Sequence, residues 1–122
     1  MIKISGKRLL QIKKNFKGKR IAIIGDMMLD IYFWGDVKRI SPEAPVPVLE
    51  VENEFYRFGG AANVALNIYS LSGVAEPIGV IGYDNYGTIF NSLLSERKIS
   101  HHGIIEDDNR PTTSKTLSLI HI

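Results

Sequence analysis

The chain is 122 residues long, 44% apolar and 23% charged, with a formal net charge of +2 and no cysteine. This is the balance of a globular domain with a core of its own, and it excludes disulfide staples, thiolate catalysis and cysteine-based metal sites. No apolar run is long enough to span a bilayer, and no apolar segment with a small-residue cleavage site follows the basic start, so neither a membrane anchor nor a secretory signal is expected.

The charge is unevenly spread. Lys3, Lys7, Arg8, Lys13, Lys14, Lys17, Lys19 and Arg20 all precede the first acidic residue. Leu9, Leu10, Ile12 and Phe16 are interleaved among them, which predicts that residues 1–20 hold a basic amphipathic helix docked on the body, its cations forming the wet face. The alternative, a nucleic-acid arm, lacks a reading motif or an aromatic-rich platform.

RIAII at residues 20–24 is a short β-branched run that stops at Gly25-Asp26, as a buried strand of a parallel sheet does. IYFWGDV (31–37) is a second extended piece. PVPVLEVEN (45–53) alternates apolar and polar, a strand with one wet face whose prolines suit an edge. Gly59-Gly60 opens a helix that ends at Gly73. That helix is apolar on nearly every side and is expected to be buried on more than one face. AEPIGVIGYD (75–84) is another strand. Asp84 is the expected N-cap of the next helix, with Ile89, Phe90, Leu93 and Leu94 as its core stripe and Arg97 and Lys98 at its C-terminus. HHGIIED (101–107) is a third strand, DDNRP (107–111) a turn, and the remainder is extended. This order predicts an α/β fold with a mostly parallel sheet flanked by helices. Residues 31–58 are an insert outside that sheet.

Ligands of open α/β sheets bind beyond the carboxyl ends of the strands. Asp26, with Asp30 beyond it, lies there, and so does Gly59-Gly60 before the helix. An ionised carboxylate accepts hydrogen bonds from sugar hydroxyls, although Asp26 could equally tie a turn. Glycines allow close backbone approach, and a helix start offers free N–H groups. Asn63 in the first turn, and Asn67 one turn on, both donate and accept, which suits a polyol. The competing reading is a tight turn with Asn63 tying a loop. There is no Walker loop and no GxGxxG fingerprint. Lys115, the one basic residue of an alternating run, suits either an exposed edge or a substrate phosphate. His101 and His102 are adjacent; on a strand they would face opposite ways, so no metal site is expected. Asp107 and Asp108 read as solvated turn residues.

Residues 59–82, GGAANVALNIYSLSGVAEPIGVIG, resemble the N-terminal signature of the ribokinase-like (PfkB) carbohydrate kinases, through Gly59, Gly60, Ala61, Asn63, Ala65, Ser72 and Gly82. GDMMLD (25–30) fits the family's first strand and substrate aspartate. RISPEAPVPV (39–48) and RPTTSKT (110–116) are similar to the heptose 7-phosphate kinase branch of that family, and the likeness covers residues 21–116.

The resemblance implies that the chain is the N-terminal part of a ribokinase-like fold with a small β lid at about residues 31–58. It implies that Asp26, Gly59, Gly60 and Asn63 hold sugar hydroxyls and that Lys115 points to the substrate. Arg39, Ser41, Glu43 and Pro45 would belong to the lid, which often makes a homodimer interface. The implied reaction passes the ATP γ-phosphoryl, with Mg²⁺, to the anomeric hydroxyl of D-glycero-D-manno-heptose 7-phosphate. It would serve ADP-heptose and lipopolysaccharide core synthesis in the cytoplasm. A ribokinase-like kinase for another sugar, or a non-catalytic sugar-phosphate-binding or dimerisation module, are the alternatives; nucleic acid and membrane are not expected partners. The family's catalytic aspartate sits in a Gly-Ala-Gly-Asp segment. The 122 residues contain no such segment, and the resemblance implies an ATP site further C-terminal, so turnover by this chain alone is not expected. Residues 117–122 depart from the family pattern and are set apart as an atypical tail, a candidate artefact.

Overall fold

The computed structural model describes residues 3–120. The first two residues of the expected basic segment and the last two of the atypical tail lie outside the described residues. The elements run α1 (Gly6–Phe16), β1 (Arg20–Ile24), β2 (Met27–Ile40), β3 (Pro47–Gly59), α2 (Gly60–Ser70), β4 (Val74–Gly82), α3 (Asn85–Glu96), β5 (Gly103–Asp107) and β6 (Thr113–Ile120).

Two three-stranded sheets result. The first is wholly parallel in the order β1-β4-β5, with α2 and α3 as the crossover helices. The second has the order β3-β2-β6: β2 and β3 form a long antiparallel hairpin, and β6 joins β2 in parallel. The insert thus stands outside the parallel sheet. Its proline-bearing strand β3 lies at an edge, where a missing N–H costs no ladder bond. Leu117, Ser118 and Leu119 of the atypical tail simply continue β6, paired with Tyr32, Phe33 and Trp34.

The core joins both sheets to the helices. Leu29 and Ile31 of β2, Phe58 of β3, Ile81 of β4, and Phe90 and Leu94 of α3 are all buried. The rings of Phe58 and Phe90 meet edge to face at 5.2 Å between centroids, a favoured aromatic geometry. Asp84 caps α3 as its sequence predicts, accepting from the Gly87 N–H, and Phe90 and Leu94 form the buried stripe with Ile89 and Leu93 packed beside it.

Four expectations are corrected. α1 forms, capped by Ser5, but it contributes no buried residue, and Leu10 stays 69% exposed. α2 is buried along one stripe only, Ala62 and Ala65, while Val64, Tyr69 and Leu71 are exposed. β1 is parallel but not buried, because it is an edge strand covered on one side. Ile23 faces the core, whereas Ile24, Ile78 and Ile105 lie on the opposite face of the sheet at 80%, 37% and 60% exposure. His101 and His102 precede β5 in a turn instead of lying on the strand.

Candidate functional site

β2 begins directly after the bend at Gly25-Asp26, and its alternation sorts the chemistry. Leu29 and Ile31 point into the core. Met28, Asp30, Tyr32 and Trp34 therefore share the opposite face. The registers with β3 and β6 place Gly59 and Thr113 beside Met28, Arg57 and Lys115 beside Asp30, and Phe55 and Leu117 beside Tyr32. One face thus carries a row of small groups, then a charged row, then an apolar one.

At the centre of the charged row, Lys115 Nζ lies 3.0 Å from Asp30 Oδ1. The Asp30 side chain is 14% exposed and that of Lys115 53%. Asp30 Oδ1 is buried and makes no hydrogen bond of good geometry, so the lysine satisfies it as an ion-pair partner alone. The carboxylate also lies flat against the chain before α2: a Cβ on Gly59 would stand 2.8 Å from Asp30 Oδ1. Gly60 has φ +54°, and a Cβ there would meet the Asp26 carbonyl at 2.5 Å. That same carbonyl accepts the Ala61 N–H at 2.9 Å. The double glycine is thus required twice, once for the left-handed turn and once for the close approach of Asp30.

Asp30 and Asn63 line one cavity of about 490 Å³, together with Tyr32, Tyr56, Arg57, Phe58, Leu66, Leu93 and Arg97. This volume is in the range of small-molecule sites. The Tyr56 phenol is pushed up to about 12, by its hydrogen bond to Glu54 first and then by burial and the Glu54 charge. It is a neutral hydroxyl at any working pH.

The residues singled out from the sequence divide accordingly. Asp30, Gly59, Asn63 and Lys115 are brought together around the charged row. Asp26 is held to Gly60 and Ala61 through its backbone, but its side chain is exposed and does not line the cavity. The lid residues lie elsewhere. Arg39 is near the end of β2, and Ser41, Glu43 and Pro45 sit in the hairpin tip, where the Ser41 N–H donates to the Val46 carbonyl and Ser41 Oγ accepts the Glu43 N–H. Nine residues of strand separate Arg39 from Asp30, roughly 30 Å. Arg57 and Tyr56 escaped the sequence reading, which took Arg97 only as a charge at the end of α3. Only the period-two alternation beyond Asp30, combined with the register of β3, points to Arg57.

A second polar cluster fixes the approach to β6. Thr112 is 3% exposed. Its N–H donates to Asp84 Oδ2 at 2.8 Å, its hydroxyl donates to Asp84 Oδ1 at 2.7 Å, and it accepts the Gly82 N–H at 2.9 Å. Burial pushes the Asp84 carboxyl up, but the hydrogen bonds from Thr112, Gly87 and Tyr86 together outweigh it and hold the group below its ordinary value. Among the described residues no group of three His, Asp or Glu side chains is arranged to hold a metal ion, so no step is assigned to Mg²⁺. Among the same residues no helix is long and apolar enough to cross a membrane.

Comparison with known proteins follows the same lines. The family described as pfkB family carbohydrate kinase matches residues 19–119. Curated relatives include the bifunctional protein HldE of Helicobacter pylori strain HPAG1, 51% identical over 98 residues and 80% of this chain, and that of Magnetococcus marinus, 45% identical over 105 residues and 86%. The chain spans about a fifth of the length of these relatives, 21% and 22%. Among solved structures, Arabidopsis thaliana ribokinase complexed with ribose and ATP aligns over 85% of this chain and 33% of its own, with TM-score 0.65 and 18% identity. Xylella fastidiosa fructokinase with bound ATP aligns over 84% and 30%, with TM-score 0.63 and 23% identity. These structures share the fold, and the family match extends over most of the sequence: the chain belongs to the pfkB family of carbohydrate kinases, as an N-terminal part of its ribokinase-like α/β fold.

Proposed function

We propose that this chain supplies the sugar-holding side of an ATP-dependent kinase site. The observation that carries this is the Asp30 carboxylate: buried, ion-paired to Lys115, pressed against Gly59, and lining one cavity with Asn63. A carboxylate accepts hydrogen bonds from two sugar hydroxyls, and the carboxamide of Asn63 donates and accepts beside it. Gly59 and Gly60 make the turn that lets the Asp30 carboxylate lie close to the start of α2. In this reading Asp30 takes the role first considered for Asp26, and Asp26 fixes the start of α2 through its carbonyl. Phosphoryl transfer depends on positioning and charge neutralisation, and the Lys115 ion pair serves the first by holding Asp30 in place.

The substrate we propose is D-glycero-D-manno-heptose 7-phosphate, phosphorylated at its anomeric hydroxyl on the way to ADP-heptose and the lipopolysaccharide core in the cytoplasm. The similarity of residues 39–48 and 110–116 to the heptose 7-phosphate kinase branch supports this, as does the identity to proteins named HldE. ATP, with Mg²⁺, would be the phosphoryl donor; its chemistry is the transfer itself. We infer that this chain alone does not turn over and that the hairpin serves as lid and homodimer contact. Calorimetry with heptose 7-phosphate tests the site. Asp30→Asn and Asn63→Ala should each weaken binding about tenfold or more, near 1.4 kcal/mol, and unchanged affinity in both would sink the proposal. ADP release by the purified chain supplied with ATP and sugar phosphate would refute the inactivity.

A further inference from the structure

Two arginines line the sugar cavity without a part in holding hydroxyls. Arg57 lies across from Asp30 in the β2–β3 register, and its guanidinium is 5.6 Å from the Tyr32 ring centroid. Stacking on a ring leaves the N–H edge of a guanidinium free, and that fork matches the oxygens of a phosphate. Arg97 is the C-cap of α3, its N–H donating to the Leu93 carbonyl at 3.2 Å, and it lines the same cavity.

The charge balance is uneven. Asp30 is the one carboxylate lining the cavity, and Lys115 already matches it at 3.0 Å. Glu54, nearby on β3, is engaged by the Tyr56 phenol. Among the described residues neither Arg57 nor Arg97 is in an ion pair. Two guanidinium groups therefore face a partly enclosed space whose only acid is neutralised. Arg97 also complements the negative end of the α3 dipole, but that role needs no cavity and does not account for Arg57, which is on a strand.

We propose that Arg57 and Arg97 form the anion-holding end of this cavity and select a sugar that carries a phosphate, whose hydroxyl end rests on Asp30 and Asn63. The proposal rests on the sugar-binding reading of the preceding section and assigns the residues that make it phosphate-selective.

The test is an NMR titration of the ¹⁵N-labelled chain, observing arginine Nε–H as well as backbone signals, with three probes: inorganic phosphate, D-glycero-D-manno-heptose and its 7-phosphate. Inorganic phosphate and the sugar phosphate should both shift Arg57 and Arg97 Nε–H. The phosphorylated sugar should bind at least tenfold more tightly than the neutral one. The Arg57→Ala/Arg97→Ala double variant should erase that difference, and Arg57→Lys, which keeps the charge but loses the fork, should restore it only in part. A phosphate preference that survives in the double variant, or phosphate shifts confined to other residues, overturns the assignment. The two readings fail differently. Neutral sugar that does not bind while phosphate still shifts the arginines removes the sugar reading and leaves the anion site. Neutral sugar that binds as well as its phosphate does the reverse.

Discussion

Asp84 holds Thr112 by two hydrogen bonds, one from the backbone N–H at 2.8 Å and one from the hydroxyl at 2.7 Å, while the same carboxylate caps α3 through Gly87. This links the carboxyl end of the parallel sheet to the residue just before β6 and so sets where Lys115 meets Asp30. Asp84→Ala leaves the Gly87 and Thr112 N–H groups without acceptors, and the Thr112 hydroxyl keeps only its longer contact to the Gly82 carbonyl at 3.3 Å. A lost cap and unpaired part-buried donors should cost about 2–4 kcal/mol. Thr112→Val, which loses only the hydroxyl, should cost about 1–2 kcal/mol. Urea unfolding midpoints measure both, and equal effects of the two variants would contradict the hub role of Asp84.

The same carboxylate makes stability depend on acid. Its folded value lies below the ordinary one, because hydrogen bonds from Thr112, Gly87 and Tyr86 outweigh burial. A depressed carboxylate stabilises the fold above its unfolded value, about 3.9, and that contribution fades as pH falls through the folded value. Unfolding free energy should therefore drop below about pH 4, and the drop should be shallower in Asp84→Asn. Parallel acid limbs in the two proteins would show that Asp84 does not titrate in this way.

The two glycines before α2 should separate fold from site. A Cβ at Gly60 meets a fixed backbone carbonyl at a positive φ, so Gly60→Ala should destabilise by roughly 2 kcal/mol or more. A Cβ at Gly59 meets the Asp30 and Met28 side chains, which can move. Gly59→Ala should therefore keep most of the stability but push Asp30 away from Lys115 and lower sugar affinity. Thermal melts beside sugar titrations of both variants decide it; the idea fails if Gly59→Ala binds sugar as well as the parent.

Much of this arrangement was legible in the sequence, and the rest has physical reasons for being hidden. The α3 cap and stripe are local patterns, and Asp84, Phe90 and Leu94 obey them. The GGAAN spacing led to the right turn. The neighbours of Asp30 needed a register: Asp26 and Asp30 both follow the first strand, but only the partner strands show that Asp30 shares a face with Lys115, Arg57 and Gly59. Burial was misjudged where composition was apolar but coverage was one-sided, as for Ile24 of β1 and Val64 of α2. A hydrophobic pattern says which face wants cover, not whether cover is present.

α1 sharpens that point into a final prediction. It is an 11-residue helix with a Ser5 cap, no buried residue and no acidic residue in its first turn. Helices shorter than about 12–15 residues are marginal in water without tertiary packing, and six cations between Lys3 and Lys17 repel one another along it. Its amides should exchange close to the unprotected rate, while those of α3, anchored by Phe90 and Leu94, should exchange orders of magnitude more slowly. Deleting residues 1–16 should then leave the unfolding free energy from urea titration within the roughly 0.5 kcal/mol typical of surface changes. Strong exchange protection across Leu9–Ile12, or a large loss of stability on deletion, would mean that the apolar stripe of α1 is covered after all.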